Sequence, residues 1–150
     1  LVLLAEVAAY YRKQGKNLYD GLQELFEKYG YFAEKTTALT FDGVEGAQQI
    51  KNLMAKLRDE APAEFAGVKV VCAEDFATGK KSFADGKEEK MNLPSSNVLK
   101  YILEDGTWIA VRPSGTEPKI KFYIGTQGDS VENSKANVAK FEEAIQAYVD

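Results

Sequence analysis

Val98-Leu99-Lys100-Tyr101-Ile102-Leu103-Glu104-Asp105-Gly106-Thr107-Trp108-Ile109-Ala110-Val111-Arg112 consists of two runs rich in β-branched and aromatic residues on either side of an Asp-Gly pair. Such runs suit a pleated, half-buried surface, and Asp-Gly between them predicts a hairpin, because a type I′ turn needs positive φ at both central residues. A two-residue loop would pair Glu104 with Thr107. That register sets Leu99, Tyr101, Leu103, Trp108, Ala110 and Arg112 on one face, and Ile102, Ile109 and Val111 on the other.

The pattern extends in both directions from this hairpin. Residues 120–126 read as a further strand, in which Lys119, Lys121 and Tyr123 alternate with Ile120, Phe122 and Ile124. Asp129 or Ser130 can then cap a last helix, with Val138, Phe141, Ile145 and Tyr148 on its apolar side and Lys135 and Lys140 facing outward. Upstream, residues 68–72 form a β-branched run that predicts a central strand, and residues 78–90 an exposed loop or irregular hairpin. Ile50, Leu53, Met54 and Leu57 make a helical stripe that Pro62 closes, and Asp42 followed by Glu45 resembles a capping box at its start. Residues 32–41 read as a strand.

Two helices come first. Residues 1–11 are apolar except for Glu6, so this helix needs cover on most of its faces, which predicts a further portion of protein before it. The second helix lies beyond Gly15: Asn17 is its N-cap, Asp20 lies in its first turn, Leu18, Leu22, Leu25, Phe26 and Tyr29 recur at helical spacing, and Gly30 ends it. Tyr10, Tyr11 and Tyr29 are expected to pack at helix faces. Because the strands are grouped, the expected fold is α+β: a mainly antiparallel sheet of about four strands flanked by helices, preceded by two helices.

Composition narrows the function. Acidic residues outnumber basic ones 23 to 19, for a net charge of -4, so the basic footprint of a nucleic-acid binder is missing and any anion must be captured locally. There is no histidine, which rules out a His-based triad or a His-ligated zinc within the chain. Residues 1–11 are too few to span a bilayer, which takes about 20 residues, and they lack a signal-peptide pattern. The single cysteine, Cys72, lies in an apolar run and reads as core, in keeping with a cytoplasmic protein.

The chemistry is concentrated in Arg112-Pro113-Ser114-Gly115-Thr116-Glu117-Pro118-Lys119. Arg112 can present a planar fork of donors to two phosphate oxygens, Ser114 and Thr116 add hydroxyls, and Gly115 lets successive N–H groups converge on an anion. Pro113 and Pro118 stiffen the ends. Lys121 and Lys119 point to one side of the exit strand and can each add a cation. An isolated Ser-Gly-Thr is an ordinary polar turn, but such a turn gains little from these flanking residues. The spacing is not that of a P-loop. A carboxylate repels phosphate, so Glu117 should turn away or meet a sugar hydroxyl or a basic neighbour.

This stretch, together with Ile120-Lys121-Phe122-Tyr123-Ile124 directly after it, resembles the C-terminal phosphate-binding motif of the α-D-phosphohexomutase superfamily, in its phosphoglucomutase/phosphomannomutase form. Leu93-Pro94-Ser95-Ser96-Asn97-Val98-Leu99 and the Asp-Gly hairpin add to the likeness. The resemblance implies that residues 31–150 are the fourth domain, with a TATA-box-binding-protein-like fold, and that residues 1–30 are a helical remnant of the third. It implies that Arg112, Ser114, Gly115 and Thr116 grip the phosphate not undergoing transfer, with Lys121 as a further basic contact and Lys119 a weaker one.

Members of the superfamily move a phosphoryl group between the C1 and C6 hydroxyls of a hexose through a phosphoserine and a bisphosphate intermediate. The implied partners are therefore a sugar phosphate and the upstream domains of the same enzyme, with no nucleic acid and no membrane. The fourth domain is expected to close over substrate, with a hinge near Gly30. The implied Mg²⁺ belongs to the full-length enzyme and is bound outside this chain. No serine–histidine phosphorylation motif, aspartate-rich metal loop or sugar-selecting loop is present, so no catalytic residue is expected here and the chain alone should be inactive. Asp75, Asp85 and Asp105 are too scattered for a metal site and are expected at the surface or in turns. Phosphomannomutase and phosphopentomutase fragments are alternatives, as is a non-catalytic anion-binding domain. The exit through Lys119-Ile120-Lys121-Phe122-Tyr123 is less like the phosphoglucosamine mutase version.

Overall fold

The structure is a computed structural model and describes residues 1–41, 43 and 45–149. Helix α1 spans Val2–Lys13 and α2 Leu18–Tyr29. Helix α2 begins where the sequence predicts: the Asn17 side chain accepts from the Asp20 N–H and the Asp20 carboxylate accepts from the Asn17 N–H, both at 2.9 Å, so two orphan donors are satisfied at once. The Tyr11 ring covers Gly21, where a Cβ would come within 2.4 Å of it, and this close approach lets α1 lie on α2. Tyr11 is thus a packing residue, whereas Tyr10 and Tyr29 are more than half exposed, contrary to expectation. Phe26 stacks on Tyr31 with ring centroids 5.7 Å apart, joining α2 to the first residue of the sheet.

Strand β1 is Tyr31–Thr40 and helix α3 Gly46–Asp59. The predicted capping box at α3 is not found as read: Asp42 lies outside the described residues, and Glu45 stands at the N-cap with no side-chain capping bond. The remaining elements are β2 (Glu64–Phe65), β3 (Val68–Asp75), β4 (Lys80–Phe83), β5 (Glu88–Lys90), β6 (Leu99–Leu103), β7 (Trp108–Pro113), β8 (Lys119–Gly128) and α4 (Val131–Val149). The Ser130 hydroxyl accepts from the Asn133 N–H at 3.1 Å, so Ser130 rather than Asp129 caps α4.

The fold is α+β, as the sequence predicts, but the sheet has eight strands where about four were expected. Their order is β1-β8-β7-β6-β3-β4-β5, with β2 on β3, and the pairings are antiparallel. Strands β4 and β5 form the hairpin that is one of the two readings of residues 78–90, and β2, only two residues long, was not foreseen.

The hairpin register differs from the sequence expectation by one residue. Leu99 pairs with Val111, Tyr101 with Ile109 and Ile102 with Trp108, while the Leu103 N–H donates to the Thr107 carbonyl at 2.8 Å. Three residues, 104–106, therefore form the loop. Gly106 has φ +84° and Asp105 is not left-handed, so the type I′ condition fails and a tight turn ending in a left-handed glycine takes its place. The pair with positive φ at both central residues is instead Ala66 (φ +50°) and Gly67 (φ +77°), in the two-residue turn between β2 and β3. The consequence at 104–106 is large, since a one-residue slip exchanges the faces of a strand. Leu99, Tyr101, Leu103, Ile109 and Val111 share the buried face, and Lys100, Ile102, Trp108, Ala110 and Arg112 the other.

Helices α3 and α4 cover the buried face. Ile50, Leu53, Met54 and Leu57 from α3, and Phe141 and Ile145 from α4, join those strand residues and Ile120, Phe122 and Ile124 in one core. The Tyr101 hydroxyl, buried among them, donates to the Leu57 carbonyl at 2.9 Å, and its burial raises its pKa. The opposite face of the sheet carries no helix among these core contacts, so residues displayed there are free to meet something else.

The register is open to test by substitution. Ile109→Ala should lower unfolding stability in urea by about 2–5 kcal/mol, as for a fully buried isoleucine, whereas Ile102→Ala should cost about 1 kcal/mol or less. The reverse order of the two losses would restore the two-residue hairpin.

Candidate phosphate-binding site

The loop joining β7 to β8 is braced by its own backbone. The Ser114 N–H donates to the Lys119 carbonyl at 2.8 Å, the Lys119 N–H to the Glu117 carbonyl at 2.7 Å, and the Phe41 N–H to the Pro118 carbonyl at 2.9 Å. Inside this frame the Ser114 hydroxyl oxygen accepts from the N–H groups of Thr116 and Glu117, at 3.4 and 3.3 Å. Bonds this long are weak, and they aim two successive donors at one point, where an anion oxygen can replace the hydroxyl. Gly115 is not in the left-handed region, and a Cβ placed on it would meet nothing within 4 Å. The loop's own conformation therefore does not require glycine there.

Arg112 and Lys121 are cross-strand partners in the β7–β8 register, both exposed on the sheet face away from the helices. Directly opposed like charges are destabilising in an antiparallel pair. Among the described residues neither enters an ion pair. Lys119 lies 3.2 Å from Glu117, so the carboxylate that would repel an anion is turned onto a basic neighbour.

The loop has a second side. Residues 113–118 form one wall of a groove of about 570 Å³ whose other wall is α3, with Lys51, Met54 and Arg58, together with Asn97 from the segment before β6. Of the residues singled out in the sequence, Ser114, Gly115 and Thr116 line this groove, whereas Arg112, Lys119 and Lys121 do not. Sequence reading missed the α3 wall. Lys51 and Arg58 are seven residues apart and so share a helix face, but nothing local in the sequence tells which loop that face meets.

Arg58 is held by Asp75 (Nε to Oδ2, 3.0 Å) and donates through Nη2 to the Asn97 side-chain oxygen at 3.1 Å. Burial pushes the Asp75 carboxyl up, but hydrogen bonds from Thr78, the Ala77 N–H and Arg58, with the charge of Arg58, outweigh it and hold the carboxyl below its ordinary value. Asp75, Asp85 and Asp105 each accept from the backbone N–H two residues on, at 3.0, 3.0 and 2.9 Å, which places all three in turns. No group of three or more His, Cys, Asp or Glu side chains able to hold a metal ion occurs among the described residues, and these turn carboxylates do not fit a Mg²⁺ site. Cys72 is buried, and burial raises its thiol pKa, as suits a packed rather than a reactive cysteine. No helix among the described residues is long and apolar enough to cross a membrane.

Comparison with known proteins places this loop in a family. The profile described as phosphoglucomutase/phosphomannomutase, C-terminal domain, matches residues 50–143, which include most of α3, β2 to β8 and most of α4. The chain belongs to that family. Within it, the chain is 38% identical over 140 residues to a phosphoglucomutase of Staphylococcus haemolyticus, covering 93% of this chain and 25% of that protein. It is 41% identical over 128 residues to one of Staphylococcus epidermidis, covering 85% and 23%. The chain thus spans about a quarter of the length of the phosphoglucomutases it matches. In this C-terminal domain the β7–β8 loop lies at the end of the sheet, with free cations on one side and the α3 groove on the other.

The Asp75–Arg58 tie gives the domain a pH signature. Because the folded-state pKa of Asp75 is depressed, its contribution is fully present above the ordinary carboxyl pKa of about 3.9 and is lost as pH falls through the lowered value. Stability measured by denaturant unfolding should therefore drop on acidification below about pH 4. Asp75→Asn should make that drop shallower, and an unchanged slope would show that the pair is not coupled to folding.

Proposed function

We propose that this domain holds the non-reacting phosphate of a hexose phosphate, as part of a phosphoglucomutase-like enzyme that interconverts hexose 1-phosphate and hexose 6-phosphate through a phosphoserine. The observation that carries the reading is the unpaired, directly opposed Arg112 and Lys121 at the base of the loop. Folding alone gains nothing from that juxtaposition, and a phosphate dianion turns its repulsion into attraction. The converging N–H groups of Thr116 and Glu117 and the open space over Gly115 support it, since a glycine that the backbone does not require leaves room for a ligand to approach closely. The names of the staphylococcal relatives favour the glucose-type mutase over its phosphomannomutase and phosphopentomutase counterparts.

The role is positioning. Anchoring a remote phosphate uses binding energy to orient the reacting end, and a misplacement of about 1 Å can cost on the order of a hundredfold in rate. Nucleophile and metal would come from other domains of the same enzyme, so the chain alone is inactive.

The reading also assigns α1 and α2 to the preceding domain, with Gly30 (φ +104°) as the hinge. Leu3, Leu4, Leu18, Leu22 and Leu25 are all 40% or more exposed, an apolar surface that the rest of this chain leaves uncovered. In hydrogen exchange on the isolated chain, amides of α1 and α2 should exchange far faster than those of β6 to β8. Equal protection would place them within one cooperative unit with the sheet.

The test of the site is an amide-shift titration with inorganic phosphate and with glucose 6-phosphate. Shifts should centre on residues 112–121. Arg112→Ala should weaken binding at least tenfold while leaving stability unchanged or raising it by less than about 1 kcal/mol, and Gly115→Ala should weaken binding with stability within about 0.5 kcal/mol. Absence of shifts at millimolar ligand, or unaltered binding in Arg112→Ala, would remove the assignment.

A further inference from the structure

The groove between the loop and α3 contains an amide that the phosphate clamp does not use. Asn97 is exposed at its rim, and its side-chain oxygen is engaged by Arg58 Nη2 at 3.1 Å. An amide is planar, so engaging the oxygen fixes where the nitrogen points. Both Nδ2 hydrogens are left without a partner among the described residues. Arg58 is itself fixed through Nε by Asp75, and Asp75 by the Thr78 hydroxyl at 2.8 Å and the Ala77 N–H at 3.0 Å. Three elements distant in sequence thus orient one side chain: the turn after β3, the last turn of α3 and the approach to β6. Asp75 and Arg58 are only 14% and 28% exposed, so this support is partly shielded from water.

We propose that Asn97 is a sugar-contacting residue, its Nδ2 donating to a hydroxyl of the hexose whose phosphate sits on the 112–119 loop, with Arg58 and Asp75 as the residues that orient it. The proposal rests on the phosphate-clamp reading of the same loop. A neutral amide is suited to the task. Ser114, Gly115 and Thr116 line the groove from the loop and Lys51 stands on its α3 wall, so donors and charge for an anion are already there, whereas a hydroxyl needs a donor of fixed direction and no charge. A groove of about 570 Å³ falls within the size of small-molecule sites, about 300–1,000 Å³, and exceeds what inorganic phosphate alone would fill. Ala47 and Ala55, exposed on the α3 wall, provide a small apolar surface for the ring to lie against.

The experiment compares affinity for glucose 6-phosphate with affinity for inorganic phosphate in the wild-type chain, Asn97→Ala and Asn97→Asp. The aspartate keeps an acceptor for Arg58 and loses both donors, and its added charge weakens both ligands alike, so the ratio of the two affinities isolates the sugar contact. That ratio should fall about three- to tenfold in both variants, the size of one hydrogen bond. The Asn97 side-chain NH₂ resonances should shift with glucose 6-phosphate and not with inorganic phosphate. An unchanged ratio together with unmoved NH₂ resonances would overturn the role of Asn97 while leaving the phosphate clamp intact. Failure of the wild-type chain to bind either ligand would overturn both.

Discussion

The position of β7 between β6 and β8 decides what this domain can bind. Three residues in the 104–106 turn, not two, send Ile109 and Val111 down onto the helices and leave Trp108, Ala110 and Arg112 on the uncovered face. The same strand pairs Arg112 with Lys121 on β8, where Ile120, Phe122 and Ile124 occupy the inward positions and Lys121 the outward one. The buried aliphatic contacts enforce this arrangement, since a slip by one residue would put Arg112 into the core and Val111 into water. The hydrophobic core therefore holds two cations together that would otherwise separate. The loop between the strands inherits its orientation from the same register.

Sequence patterns showed much of this and misplaced the central turn for an identifiable reason. Both possible turns at 104–106 favour Asp-Gly: one needs positive φ at both residues, the other only at the glycine, with the Asp105 carboxylate accepting from the Thr107 N–H. Residue type could not separate them, and the face assignment went with the wrong choice. The left-handed pair at Ala66-Gly67 gave no such signal, because alanine is seldom found there and is held by the pairing of β2 with β3. The apolar stripes of α3 and α4 were legible because they face the sheet. The stripe of α2 was just as regular, yet it stays largely exposed, since periodicity reports an amphipathic surface and not what covers it.

The site divides along the same line. Arg112, Ser114, Gly115, Thr116 and Lys121 lie within ten positions, so their clustering is visible in the sequence itself. The α3 wall is a product of tertiary packing: Arg58, Asp75 and Asn97 are 17 to 39 residues apart, and each alone reads as a surface polar residue. What joins them is the crossing of α3 over the sheet, which buries Leu53, Met54 and Leu57 and swings the polar edge of the helix toward the loop.

The charge distribution gives the site its character. The chain is net negative, so an anion must be drawn in by a local concentration of donors rather than by the charge of the whole domain. Arg112 and Lys121 stand directly opposed at the base of the loop whose N–H donors converge. A pair of like charges that the core holds in register is unfavourable in the free domain, so the proposed anion would gain by relieving a repulsion already present there. A ligand that binds only the folded state also stabilises it, and here the stabilisation acts on β7 and β8, the strands whose register creates the site. On the proposed reading, binding and the integrity of the central hairpin are one equilibrium, which would link a phosphate on the loop to the aliphatic packing on the far side of the sheet.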